Sequence, residues 1–272
     1  MNSWNSLTIA EQTFMRRALS EHGLAGSAQG YGTALRWAGN AEALQRSYTA
    51  DEQRSLVPRL AAVALDLSDR GFLTIHQSRG ILPRPTDEVM VGEELEQVLA
   101  DPANWLWPPG KDKEFRLGAP QHVHEQWFRD AFPIADDGDL PGWDELSDAQ
   151  RRILVCAFES SGMLTGPFGI WDEPLSGLDP AQRLEWVDRQ LDPLVPFVRD
   201  GWIEVQHYPD ASSDAMTVIP LEGLSAALAD PAVRSDDGDD YFVGVGCVFT
   251  FAGEAAWRGG WSKAWGSRLT FD

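Results

Sequence analysis

The sequence predicts an α+β protein made of two tandem copies of one unit. Three observations carry this reading. The 272 residues exceed the usual single domain of about 100–200 residues. Blocks of sequence recur in the same order in the two halves. Within each half, stretches with helical apolar spacing are followed by short runs in which apolar and polar residues alternate, the pattern of half-buried strands. The chain is 43% apolar and 24% charged and holds 12 tryptophans, a composition able to fill a core in each half.

The first repeated block opens each unit. With Trp4 placed over Trp143, a shift of 139, Leu7 meets Leu146, Ala10 meets Ala149, Phe14 meets Ile153, Met15 meets Leu154, Ala18 meets Ala157, Leu19 meets Phe158 and Gly23 meets Gly162. A second block recurs at a shift of 130, where Arg70-Gly71-Phe72-Leu73-Thr74-Ile75 meets Asp200-Gly201-Trp202-Ile203-Glu204-Val205. A third recurs at 129, with Leu99-Ala100-Asp101-Pro102 over Leu228-Ala229-Asp230-Pro231. Trp127 and Trp257, 130 apart, close the units. Self-similarity at a near-constant offset marks a repeated structural unit. Between the copies, residues 133–142 carry Pro133, Gly138, Pro141 and several aspartates without apolar periodicity, and read as a surface linker. The units are then residues 1–132 and 143–258, with residues 259–272 as a tryptophan-containing tail.

Each unit is expected to open with a helix. Leu146, Ala149, Ile153, Ala157 and Phe158 recur near helical spacing, Thr8 and Ser147 suit the N-cap, and Gly23 and Gly162 suit the C-cap. A second helical region covers residues 179–199, with Pro180 in its first turn and Pro193 and Pro196 breaking it. Its counterpart is residues 50–69, where Pro58 is expected to separate two shorter helices. A strand follows over residues 202–206, with Gly201 (Gly71 in the first copy) ending the preceding helix. A long excursion containing a short helix, residues 221–229, leads to a returning strand over residues 241–250. Residues 251–257 begin a further helix.

Helix, helix pair, hairpin, helix is the element order of a winged helix. The closing Thr250-x-x-Gly253-Glu254 resembles the thread that leaves the wing in winged-helix regulators. The resemblance covers roughly two-thirds of each unit, and the helix inserted between the two wing strands departs from the plain pattern. It implies two tandem winged-helix-like units, each with a short helix in the wing hairpin. It also implies a scaffold that reads DNA through the helix before the hairpin and through the wing, or that has been turned to binding proteins.

Charge bears on that choice. The net charge is −20. Residues 1–135 hold 13 Lys and Arg against 17 Asp and Glu, a net of −4, and residues 136–272 hold 9 against 25, a net of −16. Such a field repels phosphate backbones and attracts basic partners. In the second unit Arg183, Arg189 and Arg199 are outnumbered by Asp179, Glu185, Asp188, Asp192 and Asp200, and the wing holds Asp236, Asp237, Asp239 and Asp240. Nucleic acid is not expected there. The first unit offers Arg46, Arg54, Arg59 and Arg70 on or near its helices and Lys111 and Lys113 in its wing, diluted by Asp51, Glu52, Asp66, Asp69 and Asp112.

No constellation nominates an enzyme, a cofactor or a metal. His122-Val123-His124 would set two imidazoles on one face of a strand, but a third ligand such as His76 or Glu125 would be required. The Asp136-Asp137-Gly138-Asp139 run and its counterpart at residues 236–240 do not fit the spaced calcium loop. Gly244-x-Gly246 lacks the rest of a dinucleotide fingerprint. Cys156 and Cys247 sit in apolar runs, as small buried hydrophobes do. The N-terminus lacks the basic and apolar regions of a signal peptide, and no apolar stretch approaches the roughly 18 residues of a span, so a cytoplasmic protein is expected.

The leading expectation is a non-enzymatic acidic protein that binds a basic protein partner, as an immunity or inhibitor protein covers a nuclease toxin. Asp236, Asp237, Asp239 and Asp240 would supply the charge, and Trp261 and Trp265 the aromatic anchors. The first alternative is a DNA-binding transcriptional regulator that reads through Arg46, Arg54, Arg59, Lys111 and Lys113. The second rests on a resemblance to the acidic tandem winged-helix subunits that clasp the linker protein of chromosome-organising complexes.

Overall fold

A computed structural model of the chain describes residues 3–78, 88–106, 114–135, 141–158, 163–164, 177–209, 215–230 and 243–262. The fold is α+β, and the chain divides into two compact units, Met1–Phe132 and Pro133–Asp272.

In the first unit a 3₁₀ turn, Trp4–Ser6, leads into α1 (Ile9–Leu19). Thr8 caps α1: its side chain accepts from the Glu11 amide while the Glu11 carboxylate accepts from the Thr8 amide, so two otherwise orphaned donors are satisfied. The other end corrects the expected glycine cap. Glu21 takes the left-handed conformation (φ 55°), and the Glu21 and His22 amides donate to Ala18 O and Arg17 O, the bond pair of a Schellman ending. Gly23 lies beyond the cap, bridged to Arg116, because residues 22–24 run alongside the last strand of the unit.

α2 (Ser27–Trp37) and α3 (Ala50–Asp69) follow. A second capping box, Thr49 with Glu52, starts α3. Pro58 lies inside α3 and does not divide it, contrary to the sequence expectation. A mid-helix proline costs about 3 kcal/mol. Val57 and Leu60, on either side of Pro58, are buried, as are Ala64 and Leu67 further along the same stripe. Burying a Val or Leu is worth about 1.5–3 kcal/mol, so the flanking pair alone outweighs the lost bond. Then come β1 (Thr74–Ser78), β2 (Glu88–Val89), α4 (Gly92–Ala100), a 3₁₀ turn at Pro102–Asn104, β3 (Glu114–Gly118) and α5 (Gln121–Ala131).

The second unit holds a 3₁₀ turn at Trp143–Glu145, α6 (Asp148–Phe158), α7 (Pro180–Leu191), α8 (Val195–Arg199), β4 (Ile203–Tyr208), β5 (Thr217–Val218), a 3₁₀ turn at Leu221–Gly223, α9 (Leu224–Ala229), β6 (Gly244–Phe249) and α10 (Phe251–Ala256). Ser147 caps α6 in a reciprocal pair with Gln150, and Asp179 caps α7 with Pro180 in the first turn. Here the expected break does occur, between Leu191 and Val195. Gly71 and Gly201, both left-handed (φ 71° and 72°), end the helices before β1 and β4, and the amides of Phe72 and Trp202 reach back to Leu67 O and Phe197 O.

The two sheets have the same order, β2-β1-β3 and β5-β4-β6, with all pairings antiparallel. They also share a register. Ile75 faces Leu117 and Val205 faces Cys247, both residues moved by 130; His76 faces Val89 and Gln206 faces Val218, moved by 130 and 129. A slip of one residue would have turned every buried side chain outward, so the offsets seen in the sequence are the offsets of the ladders.

After α10 the helix widens into a π turn, Trp257–Trp261. The Ala135 amide donates to Ala255 O (3.0 Å), the carbonyl that an α register would offer to Gly259. An outside donor on that carbonyl loosens the ladder. The ends of the expected linker that lie among the described residues thus belong to the second unit: Ala135 is bonded to α10, and Pro141 O accepts from Trp261 Nε1 (2.9 Å). Residues 136–140 lie outside the described set. Residues 259–262, expected to begin a separate tail, continue this helix.

Two predictions follow from the packing. A Cβ on Gly253 would sit 1.9 Å from Trp202 O and 2.8 Å from Trp202 C, both backbone atoms, because α10 lies directly on the start of β4 with Thr250 Oγ1 bonded to Gly201 O (2.5 Å). Gly253→Ala lowers stability to urea by about 3 kcal/mol, whereas Gly142→Ala, where the nearest atom is a Glu145 side-chain carbon at 3.5 Å, changes it by less than about 0.5 kcal/mol. Trp105 Nε1 donates to Leu99 O (3.0 Å), while Trp127 Nε1 is buried without a partner. Trp105→Phe is therefore more destabilising than Trp127→Phe by about 1–2 kcal/mol in the same measurement.

Candidate functional site

The first unit carries a groove between α3 and α4. One face of α3 presents residues 54, 57, 58, 61, 62 and 65, spaced at three and four. Opposite, α4 and the turn after it present Glu96, Leu99, Ala100 and Pro102. The space between them is about 520 Å³ and partly open to solvent. Its floor is almost wholly carbon: Val57, Pro58, Ala61, Ala62, Leu65, Leu99, Ala100 and Pro102. Three of these are alanines, and their short side chains leave the trough that larger residues would have filled.

The wall formed by α4 is firmly held. Leu95, Val98 and Leu99 are buried, and the Met90 amide donates to Ile75 O. Asp101 caps the turn at Pro102–Asn104, Asn104 Nδ2 donates to Val98 O, and Trp105, fully buried and edge-on to Phe14, donates to Leu99 O. The inserted helix is therefore a fixed part of the unit.

The rim is acidic. Glu93 and Glu96 stand exposed on one face of α4, three residues apart. Asp51 and Asp69 stand exposed at the two ends of the α3 stripe. Arg54 lines the groove, with its Nη1 2.6 Å from Asp51 Oδ1.

The other arginines expected to meet DNA are tied in the same way. Arg46 makes a two-pronged pair with Glu52 (2.7 and 2.8 Å). The Arg46 guanidinium, with the bond from the Thr49 amide, holds the Glu52 carboxyl down to about 2. The Arg59 guanidinium lies over the Tyr31 ring, 5.6 Å from its centroid. Arg70 bridges Glu11 and Asp66, both at 2.7 Å. Lys111 and Lys113 lie outside the described residues. Among the described ones, Arg46, Arg54 and Arg70 are paired with acids and Arg59 lies over a ring, beside an apolar trough.

In the second unit Asp236, Asp237, Asp239, Asp240 and Trp265 lie outside the described residues. Trp261 is buried, which corrects its reading as an exposed anchor: its ring packs edge-on to Trp202 (5.2 Å) and Phe197 (6.1 Å). The amphipathic character of its helix conceals this in the sequence, because a core tryptophan and an anchoring tryptophan look alike.

The histidine pair is also corrected. His122 and His124 lie on α5, a helix, and Val123 between them is buried. Two residues apart on a helix point to nearly opposite sides, and His124 stacks on Phe128 (4.7 Å). No group of three or more His, Cys, Asp or Glu placed to hold a metal ion occurs among the described residues. Cys156 donates to Met163 O (3.1 Å), and its bond to Cys247, together with burial, holds the Cys247 thiol well above the usual range, which makes it a poor nucleophile. Arg17 is an interior strut: its Nη2 donates to Gly23 O and Ala25 O, and burial lowers its pKa to about 10.

The Arg46–Glu52 pair gives a pH prediction. Glu52 titrates lower folded than unfolded, so the pair's stabilisation is complete above about 4.5 and is lost as pH falls toward about 2. Arg46→Ala returns the Glu52 carboxyl toward 4.5 in an NMR titration and flattens the acid limb of the stability profile. The effect on stability is small, because the pair is exposed.

Comparison of the chain with protein-family models, with curated proteins and with solved structures finds no match.

Proposed function

We propose that the protein is a non-enzymatic, acidic, protein-binding protein of the cytoplasm that covers a basic partner, in the manner of an immunity or inhibitor protein acting on a nuclease toxin. One observation carries the reading: the arginines described around α3 each meet an acid or a ring, and the face beside them is an apolar trough lined by Glu96, with Glu93 exposed one turn before it on α4. A DNA reader needs a free basic stripe on that helix. A protein binder needs apolar area bordered by complementary charge. The net charge of −20 favours a Lys- and Arg-rich partner and speeds its encounter.

The same reading takes the units as winged-helix-like. In its support, α1 is followed by a short extended segment bonded to β3, then by α2, α3, and a hairpin whose strands β1 and β3 pair antiparallel. The helix before the hairpin, α3, is the element that would lie in a DNA groove, and it is the element that lines the trough.

The test is capture of partners by the tagged full chain from host extract, with mass spectrometry of the retained proteins and a DNA mobility-shift assay alongside. A basic protein retained at about 50 mM salt and released at about 500 mM, with no DNA shifted, is the expected result. Salt-sensitive DNA binding by the chain sinks the reading in favour of a transcriptional regulator.

A further inference from the structure

We propose that the groove between α3 and α4 receives an amphipathic helix of the partner, apolar on the buried face and flanked by lysine or arginine. The inference rests on the protein-binding reading and adds the shape and chemistry of what is bound.

Three observations select this occupant. The first is shape. The lining residues come from α3, α4 and the turn at Pro102–Asn104, and two helices packed side by side leave a trough that a third helix fills. The apolar stripe of α3 runs from Val57 to Leu65, so about two turns of a bound helix lie against it. The second is side-chain size. Ala61, Ala62 and Ala100 let another backbone approach closely and leave room for leucine-sized knobs. The third is charge. Glu96 lines the trough, Glu93 stands exposed one turn before it on α4 and Asp69 one turn beyond Leu65 on α3, and the lining cation, Arg54, is paired with Asp51. An occupant with basic flanks is attracted, and one with acidic flanks is repelled.

The occupant is a helix and not a strand because strand addition needs a free sheet edge, and among the described residues no strand residue lines the trough. A small apolar molecule would fit the volume but would gain nothing from the acidic rim.

The experiment uses the full chain and two fluorescein-labelled peptides of about 14 residues, or four helical turns. One has leucine at i, i+3, i+4 and i+7 with lysine elsewhere; the other has glutamate in place of lysine. Binding is read by fluorescence anisotropy. The lysine peptide is expected to bind, more weakly as salt rises, and the glutamate peptide is not. Ala62→Trp and Ala100→Trp fill the trough from opposite walls at exposed positions without changing charge. Each weakens the lysine peptide by about tenfold or more with the circular dichroism spectrum unchanged. The double variant Glu93→Lys with Glu96→Lys weakens it about tenfold and removes most of the salt dependence.

Equal binding to both tryptophan variants and the parent would mean adhesion to an acidic surface and overturns the inference. So does the absence of binding at about 100 µM peptide, or uptake of an apolar dye by the trough without uptake of peptide. Partner capture by the Ala62→Trp chain separates the two levels. A basic partner retained undiminished removes the groove and leaves the protein-binding reading. A parent chain that shifts DNA and retains no protein removes that reading whatever the peptides do.

Discussion

Closure of each unit depends on one pair of tryptophans. Trp4, in the opening turn, meets Trp127 of α5 with centroids 6.3 Å apart and planes at 74°; Trp143 meets Trp257 at 6.1 Å and 73°. Edge-to-face packing of this kind adds to the burial of two large rings, and it joins the first described element of a unit to its last. The opening turn is held in place for it by α1 and α6, where Gln12 and Arg151, at the same offset, donate to the carbonyls of Trp4 and Trp143. The indole nitrogens of Trp127 and Trp143 are buried without partners, so ring burial offsets a polar penalty in both units. Between the two tryptophans, each copy holds a three-stranded antiparallel sheet of the same order.

Much of this was legible in the sequence because it depends on local chemistry or on offsets. The caps Thr8 and Ser147, Pro180 in the first turn of its helix, the glycines before β1 and β4, the inserted helices and the repeat itself all declare themselves through residue type at a fixed position. What was not legible depends on partners distant in sequence. Pro58 is a helix breaker by every local rule, yet the buried residues beside it hold α3 together. Glu21 ends α1 in a conformation that glycine takes most easily, while Gly23 is spent on a bridge to Arg116. The His122–His124 pair follows a strand in the sequence and was read as part of one, although its residues begin a helix.

The groove was hidden for the same reason. Ala61, Ala62 and Ala100 are good helix residues, and nothing about them announces a trough until α4 packs beside α3. Of the arginine pairings, Asp51 with Arg54 is three residues apart on a helix and could be expected. Arg46 with Glu52 spans the cap of α3, and Arg59 over Tyr31 joins two helices, so neither is visible in spacing. Beside the arginines of α3 the structure sets an apolar face that spacing alone does not show.

The matched registers have a wider consequence. The offset between the two units is 139 at their opening helices, 130 at the first and last strands of the sheet and 129 at the short strand between; inside each pair of long strands it never changes. An added residue in a connection adds a little loop entropy, whereas one inside a ladder inverts a face. The ladder register is the same in both copies while the charge differs: the net is −4 over residues 1–135 and −16 over residues 136–272. One folding solution carries two chemically different exteriors, so a binding surface can be remade in either half while the frame beneath it stays as it was.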